Sequence, residues 1–374
     1  MGRTSQLQHA DTEPMSTQQM TAIVPSSIEL GPISFNLHAS GPRGNLVLFC
    51  RAGFEITKRH LAALGDSNRS FYVSTKDAAR YLDYAYERLE RFVRDPKVKV
   101  SDKAKVLHGV GKRIVHQLLE EPRSGQAIEK SGRYIENHID LIMASPRVVN
   151  HLFALSSADS YTFSHSLNVC TLCLLMGEKI FGRKRDDLWN IGMGGLLHDI
   201  GKTKVDQKIL FKSSPLTDEE MAEMRRHSVF SYEILKEHSL PEPILLTGRS
   251  HHERCDGSGY PDGLACDSIH ICARIAAIVD VYDAITSNRI YRKMRPHLDA
   301  LTEMSSCIHQ FDKKIFNALL DIVIHNDKLI QDFHHKLLTS DRLFQQFGEA
   351  ATLTKLVNDG KIITAEKFGN GDHQ

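Results

Sequence analysis

Asp280 stands in the middle of an otherwise apolar helical run, IAAIVDVYDA (275–284). No fold can bury that run without giving the carboxylate a hydrogen-bonding partner or a metal ion. The constraint recurs along the chain. From residue 146 onward the pattern is nearly all helical, over 146–156, 161–181, 186–198, 217–237, 241–252, 268–287, 297–310 and 313–325. Several of these stretches carry a histidine or aspartate among apolar residues. His165 lies beside Val169, Leu172, Leu175 and Met176, and His198-Asp199 closes a stretch bearing Leu188, Ile191, Met193, Leu196 and Leu197. His227 belongs to an amphipathic stretch, and His251-His252 ends a short one. Each alone reads as a hydrogen-bonded core histidine or a surface carboxylate, but together they describe a helical bundle with a polar centre.

The spacing points to metal chemistry. His198-Asp199 is followed by Gly201, so both side chains can leave a helix end toward one cavity. Neighbouring helical residues diverge by about 100°, which suits a carboxylate that bridges two metals beside an imidazole that caps one. His165, His198, Asp199, His227, His251, His252 and Asp280 are too many ligands for one closed tetrahedral site. Two metals sharing Asp199 is the economical arrangement. Imidazole with carboxylate suits Fe, Mn, Zn or Ni better than Mg or Ca. Such a pair can acidify water and clamp the oxygens of a phosphoryl centre, so hydrolysis of a phosphate ester is the expected reaction. Lys202, three residues past Asp199, shares its face and would meet a phosphate. Asp283, one turn past Asp280, is either a ligand or the partner that orients one.

At 374 residues the chain exceeds one core of ordinary size. Residues 1–24, rich in Gln, Thr, Ser and His, are expected to be disordered and lack the order of a signal peptide. Residues 25–98 form a small module, with strand-like alternation at Ile33, Phe35 and Leu37, at 45–50 and at 70–73. A helix follows from Thr75, with Ala79, Leu82, Ala85, Tyr86, Leu89 and Phe92 on one face and Asp95-Pro96 as its stop. Helices over 102–119 and 125–143 make a connector, 99–145, to the bundle at 146–330, and 331–374 reads as a helical extension without site residues. The net charge of +1 argues against a long nucleic acid or an anionic membrane as partner. No apolar run approaches the roughly 18 residues of a span, so the expected compartment is the cytoplasm. Seven cysteines in no regular framework read as mostly free thiols, CTLC (170–173) as core, and GRKRDD (182–187) as a solvated loop.

HD (198–199), HHE (251–253) and GYP (259–261) within one helical region resemble the HD-GYP family of bacterial cyclic di-GMP phosphodiesterases, a branch of the HD superfamily of metal-dependent phosphohydrolases. The resemblance covers about residues 146–326, and the string HHERCDGSGYPDGL (251–264) makes it specific. It implies a mainly α fold, an all-helical HD-type bundle with a smaller α/β N-terminal module. It further implies the seven side chains above as ligands of two divalent ions, Fe or Mn, with Asp199 bridging. Lys202 would touch a substrate phosphate, Gly259 and Tyr260 would line the pocket, and Arg289 and Arg292 would receive the second phosphate. Cyclic di-GMP would be opened to linear pGpG, with slower cleavage on to GMP. Two departures stand out. Family members with a third metal carry a glutamate four residues before the equivalent of His165, where this chain has Tyr161; Cys255 replaces a usual bulky aromatic. Two alternatives remain at this level: another nucleotide phosphohydrolase of the superfamily, or a cyclic di-GMP sensor or protein-interaction module with little turnover. A homodimer and a signalling-protein partner are also left open.

Overall fold

A computed structural model of the protein describes residues 19–41, 45–65, 69–145, 148–158, 164–287 and 295–326. The chain divides into two compact units, Met1–Arg113 and Ile114–Gln374, the division falling inside one helix.

The first unit runs β1 (Met20–Ala22), β2 (Gly31–Pro32), β3 (Leu37–Ser40), β4 (Leu46–Cys50), β5 (Glu55–Ile56), α1 (Lys58–Leu64), β6 (Phe71–Ser74), α2 (Thr75–Arg94) and the start of α3 (Val100–Glu120). An antiparallel sheet of order β1-β6-β3-β4 carries the alternation expected from sequence, with Leu37 and Ala39 on β3 and Phe71 and Val73 on β6 turned inward. β2 and β5 pair separately. Ser74 caps α2 by accepting the Asp77 N–H, and the extended backbone of Asp95 ends it, as the Asp95-Pro96 stop requires. Two features were not expected. β1 lies inside the segment assigned to disorder, and the short helix α1 precedes β6.

The second unit contains the rest of α3, then α4 (Gly125–Ala144), α5 (Val148–Ala158), α6 (Ser164–Phe181), α7 (Arg185–Leu197), α8 (Gln207–Leu210), α9 (Asp218–Arg225), α10 (His227–Lys236), α11 (Glu242–Ser250), α12 (Ile271–Thr286), α13 (His297–Ser306) and α14 (Lys313–Asn326). The single helix expected over 217–237 is two helices. α9 opens with a Thr217–Glu220 capping box, and the chain breaks at Arg226 before α10. α12 is buried nearly all round, through Ala273, Ile275, Ala276, Ile278, Val279 and Tyr282, and packs against α6, α7 and α11. Asp280 therefore sits at the centre of the bundle, as its apolar surroundings demanded. Among the described residues no helix is long and apolar enough to cross a membrane.

Candidate metal centre

The end of α7 delivers the first two groups. His198 closes that helix, Asp199 leads into a 3-10 turn over Ile200–Lys204, and Ser231 of α10 fastens the turn by donating to the His198 carbonyl at 2.7 Å and accepting the Gly201 N–H at 2.9 Å. Gly201 is required by this close approach. A Cβ there would lie 2.0 Å from the His227 carbonyl oxygen.

Asp199 faces imidazoles with both oxygens. Its Oδ1 lies 3.3 Å from His227 Nε2 and 3.7 Å from His251 Nε2, whereas its Oδ2 lies 3.2 Å from His198 Nε2 and 3.5 Å from His165 Nε2. Two sets of potential ligand atoms result, Asp199 with His227, His251 and His252, and Asp199 with His165 and His198, each set lying within 4.8 Å of itself. Asp280 joins from α12, 3.1 Å from His165 Nε2 and 3.8 Å from His252 Nδ1. All seven side chains named from sequence thus converge on one centre. Lys202 Nζ is 2.5 Å from Asp199 Oδ2.

The rings are held from behind. His198 Nδ1 donates to the Gly195 carbonyl at 2.8 Å, His227 Nδ1 to that of Met224 at 2.7 Å, and His251 Nδ1 to those of Gly248 and Thr247 at 3.0 and 3.1 Å. Each bond puts the proton on Nδ1 and leaves the Nε2 lone pair aimed at Asp199. His165 Nδ1 instead meets Asp283 Oδ2 at 2.7 Å, and Asn168 and Ser287 bind the other oxygen of that carboxylate at 3.1 and 2.9 Å. Asp283 is therefore the group that orients His165. Sequence spacing had left open whether it was a ligand.

Electrostatics divides the centre in the same way. Burial lowers the pKa of His227 to about 4 and depresses His251 and His252 as well, so those rings are neutral electron-pair donors. Burial also works against a charge on His165, but Asp199, Asp280 and Asp283 outweigh it and raise its pKa well above the usual value. Burial would raise both carboxylates, yet Lys202 and His198 hold Asp199, and His165 holds Asp280, well below the carboxylate range.

This donor set fits divalent transition metals. His165 Nε2, His198 Nε2 and Asp199 Oδ1 are buried without a hydrogen bond, although each faces other potential ligand atoms. Buried polar atoms left this way are costly unless an ion completes them. His165, His252 and Lys202 retain 18, 17 and 31% exposure while His198 and His251 have none, so the centre opens on the side of the first three.

The loop after α11 forms one edge of that opening. Tyr260 stacks on His252 with ring centroids 4.7 Å apart. Gly259 packs so closely that a Cβ would lie 2.4 Å from Glu253 Cα. Glu253, though the third member of HHE, is not a ligand here. It is buried, and its carboxylate accepts the backbone N–H groups of Asp262 and Leu264 at 2.7 and 2.9 Å. Arg249 grips Asp262 through two bonds of 2.7 Å. Cys255 and Cys266 form a disulfide across the loop, an exception to the expectation of free thiols, which Cys50, Cys170, Cys173, Cys272 and Cys307 meet. Sequence reasoning missed the roles of Glu253, Ser231 and Asn168. Only the adjacency of Glu253 to two histidines hinted at involvement. Arg289, Arg292 and Tyr161 lie outside the described residues.

Residues 153–315 match the family described as HD domain. A cyclic di-GMP phosphodiesterase of Pseudomonas aeruginosa is 36% identical over 226 residues, covering 59% of this chain and 54% of that protein. A 3'3'-cGAMP-specific phosphodiesterase of Vibrio cholerae is 31% identical over 217 residues, covering 55% and 47%. The chain thus spans about half the length of these relatives. Among solved structures, an HDG"Y"P protein from Bdellovibrio bacteriovorus superposes with a TM-score of 0.58 at 17% identity, over 81% of this chain and 99% of that one, a likeness of fold.

Proposed function

We propose, from the match of residues 153–315 to the HD domain family, that the chain is a metal-dependent phosphodiesterase that opens cyclic di-GMP to linear pGpG. The carrying observation is the division of Asp199, one oxygen toward His227 and His251 and the other toward His165 and His198. That division suits two divalent ions, with Fe or Mn favoured by the donors. Bound there, the ions would supply Lewis acidity to the phosphoryl group and a more acidic water.

The chain's own residues do the rest. Backbone carbonyls hold three imidazoles with Nε2 inward, and Asp283 holds the fourth, so little reorganisation accompanies reaction. Lys202 brings a positive charge to the open side, where a non-bridging phosphate oxygen would sit. Tyr260, stacked on His252, would line the pocket for the nucleotide. Among the described residues, no side chain at the centre is placed as a general acid for the leaving 3′ oxygen.

The test is product analysis with anaerobically purified protein whose metal content is measured in parallel. Cyclic di-GMP, 3'3'-cGAMP and ppGpp are offered, and Asp199→Ala is the control. Appearance of pGpG with Fe- or Mn-loaded protein, lost in the variant, is expected. Tight binding of cyclic di-GMP without product would replace the enzyme by a sensor, and hydrolysis of ppGpp alone would assign a different nucleotide.

A further inference from the structure

Among the described residues, the arginines close in sequence to the ligands His227, His251 and His252 are mostly committed. Arg226 pairs with Glu223 at 2.8 Å, Arg249 is fixed by Asp262, and Arg254 Nη1 donates to the carbonyls of Glu253 and His251 at 2.9 and 3.4 Å. The cation on the catalytic side, Lys202, is tied to Asp199. Arg225 differs. It is exposed at the last position of α9, and among the described residues it has no carboxylate partner. Its guanidinium carbon lies 5.2 Å from the centroid of the Tyr260 ring, which itself stacks on His252. Arg225 is also two residues before His227, so it is anchored to the centre from both sides, through the chain and through the Tyr260 ring.

A cyclic dinucleotide carries two phosphodiester anions in one covalent ring. When one of them occupies the Asp199 centre, the other stays within the mouth and needs a cation of its own. A guanidinium held over an aromatic face keeps its N–H edge free for the two-pronged acceptance of a phosphate, which an ammonium cannot reproduce. We propose that Arg225, seated on Tyr260, is a further cation for the phosphodiester of the substrate that is not being cleaved, beyond the two arginines to which the family resemblance gives that phosphate. This assignment rests on the cyclic-dinucleotide reading above and adds a cation that neither HD nor GYP contains.

The experiment measures kcat and KM for the full chain, Arg225→Ala and Arg225→Lys on two esters. One is cyclic di-GMP, with two phosphates; the other is bis(4-nitrophenyl) phosphate, with one. Metal content is followed throughout, and the dissociation constant of pGpG is measured by calorimetry. Loss of a charge-assisted contact predicts that Arg225→Ala lowers the ratio of kcat/KM for the dinucleotide to that for the simple diester about 10- to 100-fold. The loss should lie in KM, weaken pGpG binding by a similar factor, leave the metal content at the wild-type level, and be partly restored in Arg225→Lys. Equal losses on both esters, or a loss of metal, would make Arg225 a support for His227 and Tyr260 and overturn the assignment. So would an unchanged ratio in a wild type that cleaves cyclic di-GMP. A wild type inert toward every cyclic dinucleotide would overturn the functional reading itself and this inference with it.

Discussion

The two units are built around opposite kinds of centre. In the N-terminal unit Phe35 is completely buried and meets Tyr81 and Tyr84 edge-on, at 5.6 and 5.5 Å between ring centroids. The phenol groups are satisfied by Ser27 and by the backbone N–H groups of Val24 and Glu29. In the helical unit the corresponding place belongs to Asp199, ringed by imidazoles and touched by Lys202. Burying Phe35 is favourable in itself, since apolar area leaves water and the rings pack edge to face. Burying Asp199 and Asp280 beside His165 and His198, whose Nε2 atoms make no hydrogen bond, is unfavourable unless something binds there. The surrounding apolar helices, with Leu167, Leu196, Ile278 and Val279, must stabilise the bundle enough to carry that penalty. A packed aromatic core therefore says how its unit stays folded, whereas a polar core says what its unit is for.

The largest expected effect follows from removing the polar centre. Asp199→Ala deletes the one group common to both sets of ligand atoms. Its hydrolysis of cyclic di-GMP should fall by more than the roughly 100-fold that loss of a ligand-orienting partner can cost. Metal analysis of the same preparation should show depletion, while circular dichroism keeps the wild-type helical signal. Retained metal and retained turnover would show that Asp199 is not shared. The apolar centre should respond the other way. Phe35→Ala should lower stability by about 3–5 kcal/mol, as truncation of a buried aromatic does, with metal content per folded molecule unchanged. A denaturation curve and a metal assay on one sample check both halves of that statement.

What the sequence displayed was periodicity and residue type, and what it concealed was distance. α2 could be drawn almost to its ends because its apolar face repeats and Asp95-Pro96 stops it. The break between α9 and α10 could not, because Arg226 keeps helical backbone angles and no Gly or Pro marks the spot. β2 and β5 are two residues each, too short to show alternation. In the same way, the histidines and aspartates of the centre were legible because each violates the apolar pattern of its helix. Glu253 looks in sequence like a third member of a ligand trio, but its oxygens are taken by backbone 9 and 11 residues further on. Arg225 reads as one charge on an amphipathic helix, and only folding sets it over a ring 35 positions away.

A smaller effect separates the two ways in which the rings are held. His198, His227 and His251 are oriented by carbonyls of their own helical turns, which no side-chain substitution removes. His165 depends on Asp283 from another helix. Asp283→Asn should therefore weaken metal binding about 10- to 100-fold without the collapse expected of Asp199→Ala. Titration with Mn followed by calorimetry would show it. An affinity equal to that of the wild type would mean that Asn168 and the helix backbone suffice to hold His165.

The smallest effect belongs to the apolar unit, which has a partly buried polar residue of its own. His38 lies on β3, its Nδ1 is buried without a hydrogen bond, and burial lowers its pKa despite the opposing pull of Asp77. A histidine with a lowered pKa in the folded state takes up its proton more readily when unfolded. Its contribution is fully present above the unfolded value near 6.5 and is lost as pH falls through the lower folded value. The melting temperature of the N-terminal unit should thus decline as pH drops below that point, and His38→Gln should flatten part of the slope. The polar centre offers no such simple signature, because there His165 is raised while His227, His251 and His252 are lowered. Differential scanning calorimetry between pH 7 and 5 on the wild type and His38→Gln decides the matter. Identical slopes would mean that the strand opens enough at His38 for water to reach the ring, and that even this unit's interior is less uniformly apolar than its aromatic core suggests.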